Sequence, residues 1–440
     1  MITLYRPLRS LREGNWFKLI CGASFQHLPA IRNLALAYAL AGADCVDVAA
    51  DPAVVAAASE GIQSAQCLLG DARIRGFGAA TLPWLMVSLN DGEDPHFRKA
   101  EFDATSCPPN CHRPCELICP AQAIDLDLRD GYLSGGVLSD RCYGCGRCLP
   151  VCPIQHVQTR SHVTPPATLM PLVLAGVDAV EIHTQIGRLD AFKRVWNAIA
   201  PISHQLKLVA ISCQDGDGLT DYLWALYDVI SPVPCPLIWQ TDGRPMSGDI
   251  GDGTTHAAIR LSQKVLDAGL PGYVQLAGGT NHHTVPKLKR LGMLNLSDGH
   301  ESSWRSLEAP RQSSKPPDCQ AGKRTEAHVL LSTISQNENN LAISSQRVSG
   351  VAYGSFARTL LSPVLEKLEK MSTNVLECSR SPIAASASTI PSRFDSMHLT
   401  SSSPMHLEAF PDLLWQAVSL ADSLTSQLKL PMTCGIDRPQ

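Results

Sequence analysis

The sequence predicts an α/β chain: a (β/α)8 barrel-like scaffold with a small α+β domain inserted after its third strand. Three observations predict it. Short apolar, β-branched runs alternate with amphipathic helical patterns along most of the 440 residues. There are eight such runs, the number a closed parallel barrel needs. One dense cysteine segment interrupts the alternation between the third and fourth runs.

The strand candidates are FKLICGA (Phe17–Ala23), CVDVAA (Cys45–Ala50), PWLMVSL (Pro83–Leu89), VDAVEIHT (Val177–Thr184), LKLVAISC (Leu206–Cys213), CPLIWQTDG (Cys235–Gly243), GYVQLAGG (Gly272–Gly279) and VSGVAYGS (Val348–Ser355). Between them run helical patterns such as LPAIRNLALAYALAGA, which ends on Gly42, RLDAFKRVWNAIA, LTDYLWALYDVI, THAAIRLSQKVLDAG and FARTLLSPVLEKLEK. Near-continuous apolar strands between amphipathic helices argue for a parallel sheet covered by helices. An open doubly wound sheet is the alternative, and the strand count favours closure.

Of sixteen cysteines, eight fall between Cys107 and Cys152. Cys142, Cys145, Cys148 and Cys152, followed by Pro153, follow the ferredoxin run C-x2-C-x2-C-x3-C-P. Two intervening residues let a loop wrap so that three thiolates reach one iron–sulfur cube, and Gly144 and Gly146 let backbone N–H groups come close. Cys107, Cys111, Cys115 and Cys119, followed by Pro120, are spaced three, three and three, a departure from that run. In two-cluster ferredoxins the fourth cysteine of each run ligates the other cluster. Cys152 is then expected with Cys107, Cys111 and Cys115, and Cys119 with Cys142, Cys145 and Cys148. The intervening AIDLDLRDGYLSGGVLSDRC reads as strand, turn and strand. The inserted domain is therefore expected to be ferredoxin-like, with two 4Fe-4S clusters. A structural zinc is the alternative, and for the irregular first run a zinc or no metal at all.

An insertion in a βα loop lies on the C-terminal face of a barrel, where barrel active sites form. Gly278, Gly279, Gly354 and Ser355 end the last two strands, a common barrel phosphate site to which Arg358 adds charge. Flavin mononucleotide is one cofactor that would fit; the alternative is that the glycines only shape turns. Asp242 and Arg244 begin a long glycine-rich loop, and Glu181, His183 and Gln185 end the fourth strand; all are mouth candidates by position. The adjacent His282 and His283 do not readily face one site. No residue stands out as general acid, base or nucleophile.

A net charge of -4 gives no footprint for nucleic acid. Neither a signal peptide nor a membrane span is legible, so a cytoplasmic protein is expected. The expected organisation is barrel at 1–99, cluster insertion at 100–160, barrel at 161–293, a polar insertion at 294–346, the last βα unit at 347–371, a Ser/Pro-rich linker at 372–405 and a C-terminal helix and tail at 406–440. That helix either docks on the barrel or offers a partner surface; docking is the simpler expectation.

WFKLICGASFQHLPAIRNLALAYALAGADCVDVAADPAVV, CHRPCELICPAQAI, RCYGCGRCLPVCP, GDIGDGTTHAAIRL and GGTNHHTVPKLKRLG together make a more specific pattern than the cysteines alone. Over most of Leu8–Gly292 and over Val348–Lys370 the chain resembles the cyanobacterial light-dependent period protein family. The resemblance implies an iron–sulfur protein that senses cellular redox state and adjusts the circadian clock to light. It also implies clock-input proteins and redox partners, and the eight cysteines named above as cluster ligands. The competing expectation is an oxidoreductase whose clusters feed electrons to a flavin or another phosphate-bearing cofactor in the barrel.

Overall fold

The computed structural model describes residues 6–78, 81–129, 132–161, 171–172, 176–244, 251, 253–294, 347–378 and 406–429. The polar insertion and the Ser/Pro-rich linker expected from the sequence lie mostly outside the described residues.

Eight parallel strands close a barrel. They are β1 (Trp16–Gly22), β2 (Cys45–Ala49), β3 (Trp84–Asn90), β8 (Ala179–Thr184), β9 (Leu208–Gln214), β10 (Leu237–Asp242), β11 (Tyr273–Ala277) and β12 (Gly350–Tyr353), and β12 pairs back onto β1. All eight strands expected from the sequence are present, within one to two residues at most ends. The closed sheet decides against the open alternative. Closure rests on the register Trp16↔Gly350 through Leu19↔Tyr353.

Side-chain alternation divides each strand between two cores. Phe17, Leu19, Val46, Val48, Val87, Val180, Ile182, Val209 and Ile211 join the large core beneath the helices. Trp16, Cys45, Trp84, Met86, Ala179, Leu208, Ala210 and Ile238 form a separate inner cluster within the barrel. Helix α1 (Arg6–Glu13) adds Leu11 to that cluster and so closes the N-terminal end.

Helix α2 (Leu28–Leu40) is buried on nearly every side, more than its place on a barrel exterior requires. Two neighbours account for this. Helix α3 (Pro52–Ile74) packs along it, and helix α11 (Pro411–Thr425) covers it from the C-terminal segment. Polar ties hold that cover. Arg32 makes a two-pronged ion pair with Glu408, Leu407 N donates to Asn33 Oδ1 (3.2 Å), and Thr425 Oγ1 donates to Ala41 O (2.8 Å). Trp415 stacks on Phe77 at 5.9 Å, with Arg75 4.5 Å from its ring centre. The C-terminal helix therefore docks on the barrel.

The cysteine segment leaves the barrel after β3. Strands β4 (Arg98–Glu101) and β7 (Gln158–Ser161) pair antiparallel, Arg98↔Ser161, so the segment enters and leaves through one stem. Beyond it lie two short helices, α4 (Pro114–Leu117) and α5 (Cys148–Val151), and a hairpin of β5 (Ile124–Arg129) with β6 (Tyr132–Val137). A small core of its own joins Ala104, Cys115, Ile124, Leu126, Cys148, Cys152 and Val157. The remaining barrel helices are α6 (Leu189–Ile199), α7 (Leu219–Ile230), α8 (Thr255–Asp267), α9 (Thr284–Arg290) and α10 (Ser355–Cys378). Among the described residues no helix is long and apolar enough to cross a membrane.

A Cβ on Gly350 would lie 2.1 Å from Trp16 O, at the closing seam. Gly350→Ala is expected to lower stability by about 1–3 kcal/mol through overpacking, read as a lower midpoint in chemical denaturation.

Candidate functional site

The insertion gathers its cysteines by space, not by sequence run. Cys119 joins Cys142, Cys145 and Cys148 around one cavity, also lined by Ala100, Tyr143, Gly144, Gly146 and Thr159. Cys152 packs with Cys115 in the insertion's small core, and, after burial, its charge helps to raise the pKa values of Cys107 and Cys115. Cys119 thus lies with three residues of the other run.

Local structure explains the gathering. The short helices α4 and α5 begin just before Cys115 and at Cys148, and their packing brings the two runs together. Gly144 has φ +69°, and a Cβ there would meet Arg98 O at 2.1 Å, so the cysteine loop presses directly on the stem. Backbone N–H groups point at sulfur. Ala100 N donates to Cys142 Sγ (3.3 Å), Ala123 N to Cys119 Sγ (3.2 Å) and His156 N to Cys152 Sγ (3.2 Å).

Electrostatics show what the first cage, that of Cys119, Cys142, Cys145 and Cys148, needs. Burial, followed by the charges of Cys145, Cys142 and Cys119, pushes the Cys148 thiol up to about 12. Thiolates crowded in this way ionise together only around positive charge, which a metal centre supplies. The donors are all sulfur, and N–H groups surround them. This donor set fits an iron–sulfur group.

The cage containing Cys119, Cys142, Cys145 and Cys148 is strapped to the barrel. Tyr143 packs edge-on to Phe25 (5.7 Å, 88°), and the Arg358 guanidinium lies 4.0 Å from its ring centre. Arg141 pairs with Glu369 of α10 (3.1 Å). Lys99 Nζ donates to Gln26 Oε1 and Ser139 O, both at 2.6 Å.

The candidate phosphate residues sit at the ends of neighbouring strands β11 and β12. Gly278 and Gly279 adopt positive φ beside Arg244 and Thr254, while Gly354 and Ser355 lead into α10. Arg358 donates to Ile20 O (2.8 Å), Cys21 O (3.0 Å) and Ser355 Oγ (2.9 Å). Its described contacts therefore tie α10, β1 and the cysteine loop together. Gln185 Nε2 donates to Glu93 O (3.1 Å), and Asp242 is buried at the end of β10, where Ser212 Oγ donates to it.

A second polar centre occupies the barrel axis, and sequence reading found only part of it. Lys18, fully buried, pairs with Glu181 and lies 3.4 Å from Asp47. Gln240 Nε2 donates to Glu181 Oε1 (2.5 Å), Gln275 Nε2 to Gln240 Oε1 (2.6 Å) and Trp16 Nε1 to Gln275 Oε1 (2.6 Å). Above them His183 Nε2 lies 3.0 Å from Glu181 Oε1, and Asp94 Oδ1 lies 2.8 Å from His96 Nδ1. Burial opposes charge on His183, but the hydrogen bond and the charge of Glu181 outweigh it and raise its pKa to about 9. Burial likewise opposes charge on Glu181, yet Lys18 and His183 hold its carboxyl well below the usual range. Lys18, Asp47, Asp94, His96 and Gln240 were missed because they come from elements far apart in the chain. A visible signal existed: a charged residue at an inward position of an otherwise apolar strand, as in WFKLICG and CVDVA.

Residues 172–427 match the family model described as Light dependent period A C-terminal domain, and residues 107–163 match LdpA Fe-S cluster-binding domain. Light dependent period A of Synechococcus elongatus is 54% identical over 289 residues, covering 66% of this chain and 77% of that protein. Pyruvate synthase subunit PorD of Thermotoga maritima is 44% identical over 46 residues, covering 10% of this chain and 43% of that subunit.

Gly144→Ala tests the cysteine loop, because it combines the positive φ with the 2.1 Å approach to Arg98 O. The variant is expected to carry less iron per chain than the parent after anaerobic purification, measured by metal analysis.

Proposed function

As the chain belongs to the Light dependent period A family, we propose that it is a redox sensor built on two 4Fe-4S clusters in a ferredoxin-like insertion. One cluster is held by Cys119, Cys142, Cys145 and Cys148, and the other by Cys107, Cys111, Cys115 and Cys152. The observation that carries this reading is the exchange of Cys119 and Cys152 between runs, the pattern of two-cluster ferredoxins.

Bound clusters supply one-electron chemistry. The chain's own residues set how that chemistry is felt. N–H groups on Cys142, Cys119 and Cys152 favour negative charge on sulfur. The Arg358 cation, against Tyr143 and two β1 carbonyls, couples the first cage to the barrel seam. A signal requires that a partner bind one redox state better than the other. Leu117 and Ile154, 81% and 47% exposed, stand beside the cysteine runs as apolar contact points. The name of the Synechococcus elongatus relative points to light-dependent timing as the process served. Clock-input proteins and redox partners are the proposed readers.

Anaerobically purified protein is expected to hold about eight irons per chain. Cys119→Ser and Cys145→Ser are expected to remove the same electron paramagnetic resonance signal of the reduced protein, and Cys152→Ser and Cys111→Ser the other. Zinc in place of iron, or a Cys119→Ser spectrum that matches Cys111→Ser, would overturn the assignment. Sensing itself is tested by partner capture from oxidised and reduced protein; equal capture would count against it.

A further inference from the structure

Three ligand-type side chains converge at the barrel mouth, and the cluster reading uses none of them. Asp94 and His96 lie in the turn after β3, and His183 is the penultimate residue of β8. The pairing Asn90↔His183 places that turn beside β8. Their ligand atoms all lie within 4.8 Å of one another. We propose that Asp94, His96 and His183 bind a single divalent first-row transition-metal ion at the mouth of the barrel, separate from the cysteine cages.

The donor set favours this assignment. Two imidazoles and a carboxylate suit divalent first-row metals such as Fe2+ and Zn2+, admit the harder Mn2+ through the carboxylate, and leave coordination positions open for water or an oxygen-bearing small molecule. Asp94 Oδ1 is 2.8 Å from His96 Nδ1 and 3.7 Å from His183 Nδ1. Ligands with metal bonds of about 2.1 Å sit about 3 Å apart when adjacent, so little movement is required.

The surroundings orient the set as metal sites do. His183 turns Nε2 to Glu181 Oε1 at 3.0 Å, which leaves Nδ1 towards Asp94. A carboxylate behind a ligating histidine is the usual supporting contact. Glu181 is itself fixed by Lys18 and by Gln240 Nε2 at 2.5 Å. Phe97 packs edge-on against the His183 ring at 5.2 Å, and His96 N donates to Asp94 Oδ1 at 2.8 Å, which shapes the turn. Asp94 and His183 are buried, whereas the His96 side chain keeps 16% exposure and so leaves a way in from solvent.

The test uses full-length, cluster-loaded protein kept oxidised under anaerobic conditions and cleared of loosely held metal. Mn2+ is the probe, because it favours carboxylate and imidazole over thiolate and so avoids the cysteines. Loss of the free Mn2+ resonance measures binding. One site of roughly unit stoichiometry per chain is expected. His96→Gln and Asp94→Asn are each expected to weaken it at least about tenfold, with iron and sulfide contents unchanged. His96 lies in a partly exposed turn, so His96→Gln decides the matter if Asp94→Asn folds poorly. No Mn2+ binding up to millimolar concentration, or equal binding in parent and His96→Gln, would overturn the proposal. Iron and sulfide contents are read independently, so failure of the cluster assignment would remain distinguishable.

Discussion

A lysine ammonium buried in the middle of a closed barrel is cut off from bulk solvent. Lys18 is in that position, and the chain meets the constraint with Asp47 from the adjacent strand β2 and Glu181 from β8. Removing one partner from a buried ion pair costs about 3–5 kcal/mol, so the set acts as one unit. Its consequences extend upward. Glu181, held by Lys18, orients His183, and His183 faces Asp94 in the turn that leads to the inserted domain. The charged axis thus links the barrel's interior to the loop from which the cysteine domain departs.

The stem shares this rigidity. Four residues after His96, Ala100 N donates to Cys142 Sγ, so the turn, the stem and the first cysteine cage are joined through a short paired strand. On the other side Tyr143 and Arg141 reach α10 through Arg358 and Glu369. The insertion is therefore anchored at its stem and along its cysteine loop. Such double anchoring transmits a change in local charge better than a tether would, because packed contacts have discrete arrangements.

Much of this was legible in the residues. The eight strands were visible as apolar runs, and the expectation that Cys119 joins Cys142, Cys145 and Cys148, which line one cavity with it, came from the two-cluster ferredoxin pattern and not from spacing alone. Arg358 shows where such reasoning ends. Its guanidinium donates to the carbonyls of Ile20 and Cys21, which lie more than 300 residues away in the chain, a contact no local pattern reveals. Helix α2 shows it again: its all-round burial depends on the C-terminal segment, which no local pattern reveals.

What the sequence determined by itself is what depends on neighbours along the chain: strand and helix periods, the loop geometry of Cys142–Cys148, and the glycines that permit it. Tertiary structure alone decided that Lys18, Asp47, Glu181, Gln240 and Gln275 meet on one axis, and that Asp94 and His96 join His183. The physical reason is closure. Bending a parallel sheet into a barrel converts alternate positions on eight separate strands into one enclosed surface, and only there do charges distant in sequence become each other's solvent.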